Sequence, residues 1–371
     1  MLRIGINALY LIPGGVGGTE IYLRSLLGAL ARVDAVNRYT VYTNRETGVD
    51  LIPAAENFRQ APCAFDAGNR PVRIVYEQTM LPWRTRGDDV LLNPGFTAPL
   101  LSACPRVTVF HDMQHKRHPE HFRTADLFAW RILLWASAHR SARLIAVSEA
   151  TRADLLRYYP SLPPERITVI PHGVDERFFK LGAQRGQPDP NLLCVSTLHP
   201  HKNIERLIRA FARVHGRHRE WRLTLAGMRG FQTAAIERLI AELGVGGAVR
   251  ITGWIEREQL YGLFQRAGAF VYPSTFEGFG MPVLEALAAG IPAACSDIEP
   301  LRTIAGGAAL LFDPLDEGAI EAALERLLRG EVDGAAGPKQ AARYRWESAA
   351  RSTLEVLTAA IGARTSRVSS R

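Results

Sequence analysis

The chain has 371 residues, enough for two domains at roughly 150 residues each. With 47% hydrophobic and 22% charged side chains it is an ordinary globular composition, which excludes a disordered, collagenous or low-complexity chain. The formal charge of +8 is evenly divided, residues 1–175 carrying 20 basic and 16 acidic side chains, so no basic tail or domain points to nucleic acid.

In chain order, Leu2–Ala8 reads as a buried first strand rather than a signal peptide, because it lacks a basic lead and a cleavage site. A glycine-rich loop follows, then an amphipathic helix over Thr19–Arg32. Tyr39–Tyr42, Val90–Asn93, Arg106–Phe110 and Arg143–Val147 read as strands, with a long helix over His121–His139 between the last two. That helix contains the longest apolar run, Leu127–Ala138, which falls short of the roughly 18 residues of a spanning helix and is broken by Arg131. Lys180–Asn191, rich in Gly, Pro, Gln and Asp and without a period, reads as a linker.

Beyond it the alternation restarts. Strands are expected at Leu192–Ser196, Arg222–Ala226, Val249–Thr252, Phe270–Tyr272 and Pro292–Ser296. Helices are expected at Ile204–His215, Thr233–Leu243, Arg257–Arg266, Pro282–Ala289, Ile320–Arg329 and Trp346–Ile361. Strands alternating with helices in both halves predict two doubly wound, parallel-sheet α/β domains, residues 1–178 and 190–345, with the last helix, about 346–362, free to pack back on the first. Ligands of such sheets bind at the carboxyl ends of the strands, here in a cleft between the two domains. Four scattered cysteines without a C-x-x-C pattern fit a reducing, cytoplasmic setting.

Several chemistries lack their residues. None of the four lysines follows a glycine, so there is no phosphate-binding G-x-x-x-x-G-K. Gly15-Val16-Gly17 is not completed to a dinucleotide fingerprint, and no G-x-S-x-G elbow and no D-x-D occurs, so neither a cofactor nor a dedicated metal is expected. The most informative segment is Tyr272-Pro-Ser-Thr-Phe-Glu277-Gly278-Phe279-Gly280-Met-Pro-Val-Leu-Glu285. A strand ends at Tyr272, a glycine loop follows, and Pro282 suits the first turn of a helix. The N–H groups of such a turn bind anions, while flanking carboxylates Glu277 and Glu285 accept bonds from sugar hydroxyls. Composition alone favours a plain glycine turn with two surface acids over such a site.

Taken whole, this segment closely resembles the E-x7-E signature of family 4 glycosyltransferases, which are retaining, nucleotide-sugar dependent and of GT-B fold. Val195-Ser-Thr-Leu-His-Pro-His201-Lys202-Asn203, Val147-Ser148-Glu149 and Ile170-Pro-His-Gly-Val-Asp175 resemble further family motifs. Asn93-Pro-Gly-Phe-Thr-Ala-Pro-Leu and Phe110-His111-Asp112 resemble the mannosyl- or rhamnosyltransferase-like branch.

The resemblance implies a role for each matching residue. Lys202 would neutralise the donor diphosphate, Glu285 would bind ribose, and Glu277 with the Gly278–Gly280 backbone, including Phe279, would hold the transferred sugar. His111 would contact that sugar, and the backbone of Gly15, Gly17 and Gly18 would approach donor phosphate or acceptor. Relatives carry an arginine where Thr197 or His201 stands here, so His201 or Arg229 is expected to replace that cation.

The resemblance further implies a metal-independent transfer with GDP-mannose as donor, and a glycan or lipid-linked acceptor of polysaccharide or lipopolysaccharide synthesis. The arginines of His121–Arg143 beside Leu127, Phe128, Trp130 and Trp135 would allow peripheral contact with the inner membrane surface, although the residues by themselves favour an ordinary packed helix with solvated arginines. A nucleotide-sugar epimerase of similar shape, or a nucleotide-sugar-binding protein without turnover, are the alternatives.

Overall fold

The computed structural model describes residues 1–14, 17–230 and 232–368, and side chains for these except Ala125 and 363–368. The chain forms two compact units, Met1–Gly173 joined by the C-terminal segment from Arg345, and Val174–Tyr344.

The first unit is built on seven parallel strands, β1 (Arg3–Asn7), β2 (Arg38–Thr43), β3 (Phe58–Pro62), β4 (Val90–Asn93), β5 (Arg106–Phe110), β6 (Arg143–Ala146) and β7 (Ile167–Val169), in spatial order β3-β2-β1-β4-β5-β6-β7. β4, β5 and β6 are almost wholly buried, as strands covered on both faces must be. Its helices are α1 (Gly18–Val33), α2 (Arg70–Arg84), the short α3 (Gln114–Arg117), α4 (Thr124–Arg140) and α5 (Glu149–Tyr158).

The expected long helix over His121–His139 starts later, at Thr124, because Pro119–His121 closes a separate 3₁₀ turn ahead of it. α2, β3, α5 and β7 were not anticipated. α2 announces itself through a cap, the Asn69 side chain accepting from Val72 N at 3.3 Å with Pro71 in the first turn, and α5 through Ser148, whose Oγ accepts from Thr151 N at 3.0 Å.

The second unit holds six parallel strands, β8 (Asp189–Val195), β9 (Arg222–Ala226), β10 (Val249–Gly253), β11 (Ala267–Tyr272), β12 (Ala293–Ser296) and β13 (Leu310–Phe312), ordered β10-β9-β8-β11-β12-β13. Its helices are α6 (Glu176–Ala183), α7 (Ile204–His215), α8 (Thr233–Glu242), α9 (Arg257–Arg266), α10 (Met281–Ala288), α11 (Leu301–Ala305), α12 (Glu317–Leu328) and α13 (Gly337–Ala341). One large apolar cluster joins the inner faces of α7, α8 and α12 to β8, β9 and β11.

The expected linker at Lys180–Asn191 is a correction. α6 runs to Ala183 and β8 begins at Asp189, so only 184–188 are without regular structure. Asp175 caps α6 by accepting from Arg177 N at 2.9 Å, and Phe178 anchors it, fully buried against Tyr261 and Phe264. The composition of the segment masked that anchor.

The last helix, α14 (Trp346–Val368), belongs to the first unit, where it packs on α1 and on β4, β5 and β6. Its start lies so close to Gly173 that a Cβ there would stand 2.1 Å from Trp346 N. No described helix is long and apolar enough to cross a membrane.

Candidate donor and sugar site

The sheet of the second unit reverses direction between β8 and β11, since β9 and β10 continue one way and β12 and β13 the other. Ligands of open parallel sheets bind beyond the strand ends at that reversal. The two segments that leave it there are 196–203 after β8 and 273–280 after β11. They are tied together: Thr275 N donates to His201 O at 2.8 Å, and the Asn203 amide donates to Pro273 O at 3.1 Å and to Pro314 O at 2.7 Å. Asn203 caps α7 in the left-handed region with φ 58°, a conformation asparagine tolerates.

These ties bring Lys202 and Glu277 together. Lys202 Nζ stands 2.5 Å from Glu277 Oε1 and 3.0 Å from the Tyr272 hydroxyl, at the end of β11, and both charged side chains are largely shielded from water. Burial by itself lowers the pKa of the ammonium, but Glu277 and Tyr272 more than offset this and hold it above the usual lysine value. The same surroundings push the Tyr272 phenol up, so it stays a neutral hydrogen-bonding group.

The turn into α10 is set by Gly280, at φ 112°, where a Cβ would meet Leu301 Cδ2 at 2.3 Å. Pro282 has no N–H, and Val283 and Leu284 bond back to Gly280 O at 3.1 and 3.3 Å, so an anion at this turn would be met by the backbone ahead of Pro282. Phe279 is buried and edge-on to Tyr344. The Ser274 hydroxyl in the same loop is buried with no hydrogen-bond partner, a polar atom left over for a ligand.

Glu285 lies one turn into α10 and is nearly buried. Arg257, at the start of α9, places Nη2 3.1 Å from Glu285 Oε1 and 3.7 Å from Asp175 Oδ2, and its Nε donates to the Tyr261 hydroxyl at 3.1 Å. The Tyr261 hydroxyl in turn donates to Asp175. Burial raises the Glu285 pKa and Arg257 pulls it back. Arg257 Nη1 is buried without a partner.

Tyr272, Asn203, Arg257 and Asp175 escaped the sequence reading. Asp175, Asn203 and Tyr272 lie inside the quoted motifs, whereas nothing near Arg257 in the chain signals its pairing. Of the two expected replacement cations, Arg229 places Nη1 3.0 Å from Glu237 and is 62% exposed, an ion pair of the α8 surface. His201 stacks on His199 at 5.8 Å and stands edge-on to Phe276.

In the first unit, His111 follows β5 and is buried among the rings of Tyr22, Phe96 and His172. Its Nε2 donates to Pro94 O at 2.8 Å, which leaves Nδ1 as an acceptor, and burial lowers its pKa to about 4, so the ring is neutral at pH 7. Gly17 caps α1 with φ 59° and Gly18 begins that helix, while Gly15 lies outside the described residues. Glu20 folds back over this loop, accepting from Gly14 N at 2.8 Å. Among the described residues one group of potential metal ligands occurs, His118, Glu120 and His121, with ligand atoms within 4.8 Å of one another.

Two family models cover nearly all of this architecture: Glycosyltransferase Family 4 over residues 16–178 and Glycosyl transferases group 1 over residues 176–352. The O-antigen chain mannosyltransferase B of Escherichia coli is 30% identical over 262 residues, 67% of this chain and 68% of that protein. The chain belongs to the family 4 glycosyltransferases. A second relative of this glycosyltransferase, the MMP alpha-(1->4)-mannosyltransferase of Mycolicibacterium hassiacum, is 30% identical over 233 residues, 60% of this chain and 56% of that protein.

Among solved structures, sucrose-phosphate synthase from Thermosynechococcus elongatus superposes with a TM-score of 0.79 at 20% identity, over 98% of this chain and all of that one. Anabaena HepE in complex with UDP-glucose gives 0.73 at 18%, over 97% of this chain and 100% of that one. Both likenesses establish the GT-B fold of the glycosyltransferase.

Proposed function

We propose that this glycosyltransferase moves a mannosyl group from GDP-mannose to a hydroxyl of a glycan or lipid-linked acceptor, with retention at the anomeric carbon and without a metal. The observation that carries the reading is the shielded Lys202–Glu277 pair at the sheet reversal, beside the turn into α10. The sugar is read from the two relatives, both named as mannosyltransferases. A polysaccharide or lipopolysaccharide acceptor follows the O-antigen relative.

In this reading the donor diphosphate takes the Lys202 ammonium. That releases Glu277 to accept bonds from sugar hydroxyls, and Glu285 holds the ribose. The C1–O bond to the phosphate breaks as the C1–O bond to the acceptor forms on the same face, and the acceptor proton passes to the departing phosphate oxygen. Charge growing on the leaving diphosphate is stabilised by Lys202 and by the backbone ahead of Pro282, the preorganised electrostatic contribution that catalysis most depends on.

A thermal-shift panel of GDP, UDP, ADP, GDP-mannose and UDP-glucose tests the donor, because a ligand bound to the folded state alone raises the melting point. GDP and GDP-mannose are expected to give the largest shifts. In the presence of EDTA, GDP-mannose should be turned over slowly to GDP and mannose by water even without acceptor. Recovery of an epimerised donor would favour an epimerase, and no shift with any nucleotide would end the reading.

A further inference from the structure

Four of the ten histidines lie within residues 111–121, as His111, His115, His118 and His121. The first two belong to the interior, His111 with Nε2 on Pro94 O at 2.8 Å and His115 with Nε2 3.4 Å from the Tyr159 hydroxyl. His118 and His121 reach the surface, and the local backbone decides how they meet. Pro119, with its fixed φ, opens the 3₁₀ turn Pro119–His121. In such a turn the side chains at i and i+3 eclipse. The rings of His118 and His121 accordingly stack, with centroids 5.1 Å apart and planes within 13° of parallel.

The Glu120 carboxylate completes the group. Its Oε1 stands 3.0 Å from His118 Nδ1 and 3.8 Å from His121 Nε2. The ligand atoms of all three residues lie within 4.8 Å of one another. Metal bonds of about 2.0–2.2 Å at tetrahedral angles set ligand atoms roughly 3.3–3.5 Å apart, so both contacts to the carboxylate already match that spacing to within about 0.5 Å.

The turn is fixed from behind. His118 N donates to Gln114 O at 2.7 Å and His121 N donates to His118 O at 3.1 Å. Next in the chain, the Arg117 guanidinium donates to the buried Asp154 carboxylate of α5 at 2.9 Å. That ion pair both anchors the segment and offsets the neighbouring positive charge, which would otherwise oppose a bound cation. The side chains of His118 and His121 are 28% and 14% exposed against 60% for Glu120, so an ion enters past the carboxylate and reaches two shielded imidazoles.

The donor set selects the ion. Calcium and magnesium take oxygen ligands, and copper(I) prefers sulfur. Two imidazoles with one carboxylate suit zinc and its neighbours among the divalent transition metals, and three protein ligands leave the fourth position to water. We propose that His118, Glu120 and His121 form a zinc-type metal site that clamps the 3₁₀ turn at the entry to α4. The proposal assigns the ion a structural role and does not rest on the transferase reading.

Titration of the untagged, EDTA-stripped chain with zinc chloride, followed by calorimetry and by melting point, tests it. One ion per chain should bind, and the melting point should rise saturably, because an ion held by the folded turn alone stabilises the fold by mass action. Magnesium chloride should do neither. His118→Ala, His121→Ala and Glu120→Gln should each weaken zinc at least about tenfold. Glu120→Gln alters an exposed side chain and should melt like the parent in EDTA, which separates a lost ligand from a damaged fold. His218→Ala breaks a His–Glu pair of the second unit, 3.0 Å from Glu325, and should leave zinc binding unchanged. No saturable zinc binding, magnesium bound as tightly as zinc, zinc lost in His218→Ala, or full zinc affinity in Glu120→Gln and in the double variant His118→Ala, His121→Ala would overturn the proposal. The GDP-mannose shift of the stripped chain is measured separately, so failure of the metal site and failure of the donor reading are distinguishable.

Discussion

Lys202→Ala is the most informative single change, because the residue stabilises both the fold and, in our reading, the donor. It strands the Glu277 carboxylate, whose side chain is 10% exposed, without the ammonium now 2.5 Å away. Breaking a shielded ion pair from one side costs about 3–5 kcal/mol, most of it the desolvated charge left behind. In a unit the size of Val174–Tyr344 each kcal/mol lowers the melting point by roughly 2–4 °C, so the lower bound alone predicts a drop of roughly 6–12 °C. Glu277→Ala in the same chain removes the stranded charge and should restore most of that loss, with a coupling of about 2 kcal/mol or more in the double-mutant cycle. Neither variant should recover donor affinity, since one charge-assisted bond to phosphate is worth about 1.5–3 kcal/mol, roughly tenfold to 150-fold in Kd. Differential scanning calorimetry and titration with GDP measure the two effects separately. If Lys202→Ala melts and binds GDP like the parent, the pairing energy and the diphosphate assignment both fall.

Three further substitutions test the surrounding contacts. Arg257→Gln removes the cation held between Glu285 and Asp175, and should raise the donor KM about tenfold to a hundredfold while leaving kcat within about threefold, as expected for lost ground-state binding; an equal fall in kcat would instead place Arg257 in the transition state. Glu77 is buried on α2, receives a bond from the Thr97 hydroxyl at 3.0 Å, and has its pKa pushed by burial to about 7. Because that value is raised over the ordinary 4.5, the stability it contributes is complete below pH 4.5 and is lost as pH rises through 7. The difference is about 3 kcal/mol, so Glu77→Gln should melt higher than the parent at pH 8 and near it at pH 4.5, and parallel melting curves at both pH values would refute the assignment. Gly280→Ala forces a side chain into a left-handed backbone against Leu301 and should cost about 1–3 kcal/mol and weaken GDP binding, which calorimetry would check.

The sequence carried the strands and the amphipathic helices well where burial alone decides them. α7 is expected at Ile204–His215 and found there, because its inward residues Leu207, Ile208, Phe211 and Val214 repeat at helical spacing. It failed where a single anchor outweighs composition, as at α6, whose Phe178 holds a segment that otherwise reads as linker. It failed also for pairings set by strand order. Arg257 meets Glu285 only because α9 and α10 flank β11 from consecutive crossovers, and no local pattern encodes that. Arg229 looked like a spare cation until α8 supplied Glu237 on the adjacent surface.

The meeting of two motif residues at the candidate site follows from strand order as well. Lys202 and Glu277 lie 75 positions apart and share no local signal. What joins them is that β8 and β11 are neighbours across the reversal of the sheet, so the segments leaving their carboxyl ends must emerge side by side. The motif residues therefore report a topological fact: a lysine after the first strand of the unit and a glutamate after the fourth can meet only if that strand order holds. A sheet in which β11 followed β10 at the edge would separate them by the width of three strands, about 14 Å at the usual spacing, and no side chain would close that gap. The 2.5 Å pair is thus a test the fold had to pass before any chemistry was assigned to it.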